Sequence, residues 1–134
     1  MGLTNDIVDT LATTALTVTG VRKTYARDPD TIAVAPAVIF GAPSGYVRAG
    51  NWESRVWRVP MRLYVERLAD DARTQSSVND FYDLFVAKFR SDIDVGGNVT
   101  RCLITDWDSD LFAEIGGAKY QVLEMKLDVL LVGG

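Results

Sequence analysis

The sequence contains no histidine and one cysteine, Cys102, among its 134 residues. Without imidazole, every serine or cysteine mechanism that relies on a histidine base is excluded. A lone cysteine closes no internal disulfide and builds no metal cluster. It stands among Thr100, Leu103 and Ile104, which reads as a buried structural thiol and not as a nucleophile. No apolar run approaches the roughly 20 residues of a membrane span. The opening MGLTND lacks a basic stretch followed by an apolar one, so a protein assembled on the cytoplasmic side, away from any membrane, is expected. Repeats and low-complexity tracts are also missing. What is present is 48% hydrophobic and 24% charged, with a net charge of −4. That is the composition of a single folded domain spanning 1–134, large enough to fold without disulfide or metal. No set of residues calls for a cofactor.

Charge is unevenly distributed. Residues 22–67 hold eight bases against four acids, whereas residues 70–134 hold twelve acids against six bases. Two readings follow. The halves pair within one fold, or a basic face of one copy meets an acidic face of the next, a head-to-tail contact that closes into a ring where the rotation allows.

Hydrophobic spacing sketches an α+β fold: a mixed, mainly antiparallel sheet with two principal helices packed on it and long β-hairpin arms. Leu3, Ile7, Leu11 and Ala15 recur every four residues, widened by Val8, Ala12 and Leu16, and predict a helix over 4–16. Val78, Phe81, Leu84, Phe85 and Phe89 predict a second over 77–90, with Ser77 and Asp80 as a capping box. Short strands are expected over 21–26 and 33–40, the latter at a sheet edge or broken by a bulge because it contains Pro36. Strict alternation predicts long strands over 53–67 and 118–132. Gly116-Gly117 joins the second of these to 111–115 as a hairpin. A further strand is expected over 99–107, and 41–51 reads as a flexible hairpin loop. Fifteen extended residues span about 50 Å, more than the roughly 35–40 Å width of such a domain. Either bulges shorten the strands, with Pro60 a candidate site, or an end projects as an arm.

Two clusters of side chains invite a functional reading. Asp106, Asp108 and Asp110 alternate, as in a calcium loop, but Leu111 stands where that loop needs glycine. The alternatives are a solvated acidic loop, or a loop lining an opening where several copies build a negative ring that repels a nucleic-acid backbone. Arg55, Arg58 and Arg62, interleaved with Trp52, Trp57 and Tyr64, resemble a nucleic-acid platform in pattern. The acidic balance of the whole chain opposes that, and arginine with aromatic residues is equally the signature of protein interfaces.

Four strings in order, LTNDIVDTLATTAL, WESRVWRVPMRLYVER, SSVNDFYDLFVAKF and LFAEIGGAKYQVLEMKLDVLLV, resemble the tail terminator (tail completion) proteins of long-tailed bacteriophages. The resemblance covers nearly the whole chain and lies in pattern and order. It implies a mixed sheet flanked by helices and a homo-oligomeric ring, six copies in the family. The ring ends polymerisation of the tail tube protein and joins the tail to the head-tail connector or stopper, so the protein belongs to the virion. DNA passes through without specific binding, and neither catalysis nor a cofactor is implied. On this reading Arg55, Arg58, Arg62 and Tyr64 are expected at subunit contacts. Asp106, Asp108 and Asp110 would line the lumen as an acidic loop, and Tyr46, Arg48 and Trp52 would meet tube or connector. The other readings are a connector, stopper or tube subunit, and, from a different class, a small α+β enzyme or ligand-binding domain using carboxylates, lysines or tyrosines.

Overall fold

A computed structural model describes residues 3–27, 29, 32, 34–48, 54–67, 71–97 and 99–132, with Arg48 and Asp71 as backbone only. The elements run α1 (Leu3–Leu16), β1 (Lys23–Tyr25), β2 (Ala37–Phe40), β3 (Ser44–Arg48), β4 (Ser54–Glu66), α2 (Asp71–Ser91), β5 (Arg101–Ile115) and β6 (Ala118–Val132). The strands form one sheet in the order β1-β2-β4-β6-β5, with β3 also on β4. All pairings are antiparallel except β1 with β2. The α+β class expected from the spacing is what the chain adopts.

Both helices lie on one face of this sheet. Period-2 alternation turns Trp57, Val59, Met61, Leu63 and Val65 of β4 and Leu123, Met125, Leu127 and Val129 of β6 toward them, into one continuous core. α1 contributes Ile7, Val8, Leu11, Ala12 and Ala15 over the β1–β2 side. Its end residues Leu3 and Leu16 remain exposed. Trp57 Nε1 donates to Thr4 Oγ1 at 3.1 Å, fixing the first turn of α1 to the start of β4. From α2, Val78, Phe81, Phe85 and Phe89 fill the space over β4, β6 and β5, while Leu84 stays outside.

Several boundaries differ from the spacing. α2 begins at Asp71, so Ser77 sits inside the helix and caps nothing. The extra turns are held by buried Thr74 and by Gln75, which reaches across to β6. The flexible loop expected over 41–51 contains strand β3, whose Ser44–Arg48 pair with Arg58–Ser54. Residues 99–107 and 111–115 are parts of one strand, β5.

Shortening by bulges occurs, but in the strands that flank β4 and β6. On one side β2 pairs with β4 down to Phe40 opposite Met61, and β3 resumes with Ser44 opposite Arg58, one residue out of register. Gly41 N donates to Pro60 O at 2.9 Å, and Pro60 has no N–H to return the bond, so the ladder breaks there. On the other side β5 shifts register between Ile104 and Asp106 and again between Asp108 and Leu111. β6 is itself paired with β4 along Tyr120–Val132.

Candidate functional site

The face of the sheet away from the helices carries the polar half of the β4 and β6 alternation. Register places Arg58 opposite Asp128, Pro60 opposite Lys126, Arg62 opposite Glu124 and Tyr64 opposite Val122. Arg62 Nε donates to Glu124 Oε2 at 2.7 Å, and that bond raises the guanidinium pKa above its ordinary value, against a smaller opposing effect of burial. Arg58 Nε lies 3.5 Å from Asp128 Oδ1. The side chains of Arg58 and Arg62 are 63% and 52% exposed, so each pair sits in water-like screening and holds the face locally without adding much stability. Basic and acidic halves of the sequence thus meet inside one subunit, through cross-strand neighbours.

Beside these pairs a groove of about 510 Å³ crosses from β3 to β5. Ser44, Arg58, Thr105, Asp106, Lys126 and Asp128 line it. Two cations stand next to two carboxylates, so their fields cancel, whereas a catalytic or ligand pocket needs polar groups converging on one point.

At the end of the face near β1 and the β5–β6 turn the character changes. Ile39, Tyr64, Tyr120 and Val122 form a second apolar cluster, covered by Tyr25, Ile32 and Ala35. The rings of Tyr64 and Tyr120 meet edge to face, with centroids 6.0 Å apart and planes at 86°. Tyr64 is expected at a surface contact, and the structure buries it instead, because Tyr25, Ile32 and Ala35 pack against its cluster. Arg55 is also separated from Arg58 and Arg62: an odd spacing along a strand puts it on the opposite face, beside Trp57.

The acidic residues occupy a strand, not a loop. Asp106, Asp108 and Asp110 lie within β5, and the two register shifts fall around them. Near the shifts, carboxylates take up two main-chain N–H groups. Asp106 Oδ1 accepts from Trp107 N at 2.9 Å, and Asp108 Oδ1 accepts from Asp110 N at 2.9 Å. Asp106 stands opposite Lys126, and Asp108 opposite Glu124. All three aspartates are exposed. Among the described residues no group of three histidine, cysteine or acidic side chains is arranged to hold a metal.

Of the residues expected to meet tube or connector, Tyr46 lies on β3 and is 54% exposed, next to Val47 at 57%. Arg48 closes β3 with only its backbone described, and Trp52 lies outside the described residues. Cys102 is fully buried, and burial pushes its thiol pKa up to about 12, with Asp128 adding to the effect. Ionised thiolate is therefore scarce at neutral pH.

A polar junction escaped the spacing. Gln121 Nε2 donates to Gln75 Oε1 at 2.5 Å and to Ser109 O at 3.0 Å, tying α2 and β6 to the second bulge of β5. Trp107 stacks on Tyr82 of α2 with ring centroids 4.1 Å apart. The signal was visible: Gln121 shares the apolar parity of Leu123 and Met125, and a buried amide there requires partners from elsewhere. Among the described residues no helix is long and apolar enough to cross a membrane. No protein-family model matches the chain, and no curated protein matches its sequence.

Proposed function

We propose that this protein is a structural component of a phage virion: a ring that ends polymerisation of the tail tube and joins the tail to the head-tail connector. The reading starts from the resemblance in element order to tail terminators. The observation that carries it further is the open sheet face, where charges are matched in cross-strand pairs in place of a pocket with convergent catalytic groups. Matched pairs make a stiff polar surface on which a passing phosphate backbone finds no net attraction. The exposed aspartates of β5 stand along a strand edge and not on a loop, where an adjoining copy would meet them. Exposed Tyr46 and Val47 on β3 offer an apolar contact for tube or connector.

The test is tail assembly. Deleting the gene from the phage that carries it is expected to leave tails of uncontrolled length, unjoined to heads, and adding the purified chain to growing tubes is expected to stop elongation at one end. Electron microscopy reads both. A purified chain that stacks into long polymers would make it a tube subunit, and unaltered tails after deletion would overturn the reading.

A further inference from the structure

We propose that copies of this chain join edge to edge and head to tail, the β1 edge of one subunit, bearing Arg22 and Lys23, seated against the acidic Asp106–Asp110 stretch of β5 in the next. This rests on the ring reading above and names the surfaces that would build the ring.

Ladder register places the two surfaces at the same height. Lys23 pairs with Ala37, Ala37 with Tyr64, Tyr64 with Val122 and Val122 with Leu111. One row pair further along, Tyr25, Ile39, Arg62, Glu124 and Asp108 share a level. A neighbour placed side by side without stagger therefore brings Lys23 to the Asp108–Leu111 stretch. The same register puts Lys23 and Asp108 on the open face of the sheet.

Strand direction agrees. β5 runs against β6, β6 against β4, β4 against β2, and β1 runs with β2. β1 and β5 consequently point in opposite directions, and a copy in the same orientation presents its β1 antiparallel to β5, continuing the alternation of the sheet.

Charge selects this arrangement over the obvious competitor. Arg22 and Lys23 are exposed on one edge, and Asp106, Asp108 and Asp110 on the other. Two β5 strands related by a two-fold axis would also run antiparallel, but they would set like carboxylates against one another, which disfavours the closed dimer. Trp107 N and Asp110 N already bond to Asp106 and Asp108, so the middle of β5 offers a neighbour charge more than main-chain donors. The contact is thus ionic in its middle, heterologous in symmetry, and sensitive to salt.

The experiment compares particle masses by light scattering for the full chain and charge-reversed variants. Wild type is expected to assemble beyond a dimer and to weaken as salt rises. Arg22→Glu with Lys23→Glu, or Asp108→Lys with Asp110→Lys, is expected to raise the dissociation constant by about 100-fold or more, through like-charge contact. An equimolar mixture of the two variants should restore assemblies in which they alternate, which also shows that neither variant is misfolded. Wild type that stays monomeric up to about 1 mM, or reversals that leave the mass unchanged, overturns the proposal. A mixture that stops at one copy of each overturns it in favour of β5 against β5. Rings that survive both reversals sink the named edges and leave the terminator reading standing, whereas salt-sensitive rings that fail to stop tube growth sink only the latter.

Discussion

Gly45→Ala adds one carbon where the backbones of β3 and β4 lie against each other. In β3, Gly45 faces Trp57 of β4, and a Cβ built on it falls 2.0 Å from Val56 O, 3.0 Å from Val56 C and 3.1 Å from Trp57 Cα. Every one of these atoms is backbone, so no side chain can swing aside. Restoring an ordinary carbon–oxygen contact drives β3 away from β4 by roughly 1 Å, which takes hydrogen bonds near ~2.9 Å out of their working range. Losing two or three edge bonds at about 1 kcal/mol each gives an expected destabilisation of about 2–3 kcal/mol. Gly41→Ala is the control. Its Cβ meets the Pro60 ring at 3.0 Å, a side chain that yields by a few tenths of an ångström, and a cost below about 1 kcal/mol is expected. Urea unfolding followed by tryptophan fluorescence measures both, and hydrogen exchange of the 44–48 amides localises the effect. Tyr46 and Val47 ride on β3, so under the proposed role the same variant is expected to join tails poorly even where the domain stays folded. A loss under about 0.5 kcal/mol with protected β3 amides would refute the reasoning, because β3 would then not be seated on β4 in this register.

Phe85→Ala removes a fully buried ring between α2 and the sheet, with an expected loss of about 3–5 kcal/mol by denaturant melt. A double-mutant cycle on Arg62 and Glu124 is expected to give a coupling of about 0.5–1 kcal/mol, since the pair is well formed but half in water; a coupling near zero would mean the two do not meet in solution. Cys102 gives a pH signature. The unfolded thiol ionises near 9.0 and the folded one near 12, so between these values the unfolded state binds fewer protons and stability falls as pH rises. The wild-type curve should lose about 1.4 kcal/mol per pH unit relative to Cys102→Ala in that window and run parallel to it below; parallel curves throughout would show a thiol that is not buried.

Local rules made much of the architecture readable. Alternation in β4 and β6 named which residues face the helices, because side chains on a strand have only two directions to take. The three-to-four spacing of the phenylalanines in α2 marked the stripe that Val78, Phe81, Phe85 and Phe89 bury. Gly116-Gly117 located the hairpin, where both glycines take positive φ, at 59° and 84°. The same alternation already held the separation of Arg55 from Arg58 and Arg62.

What the tertiary structure decided was everything that depends on a partner distant in sequence. Asp106–Asp110 looks like a loop by composition, yet it is strand because β6 supplies a ladder, and its carboxylates take up the N–H groups of Trp107 and Asp110. Tyr64 looks like a surface aromatic until Ile32 and Ala35, distant in sequence, pack against its cluster. The early start of α2 follows from Gln75 and Gln121, 46 residues apart, finding each other. The sequence by itself determined the elements and their inward faces, since those follow from backbone periodicity and apolar burial. Only the fold decided which charges were matched within the subunit and which edges were left open, because register sets those neighbours and register is a property of paired strands, not of either one alone.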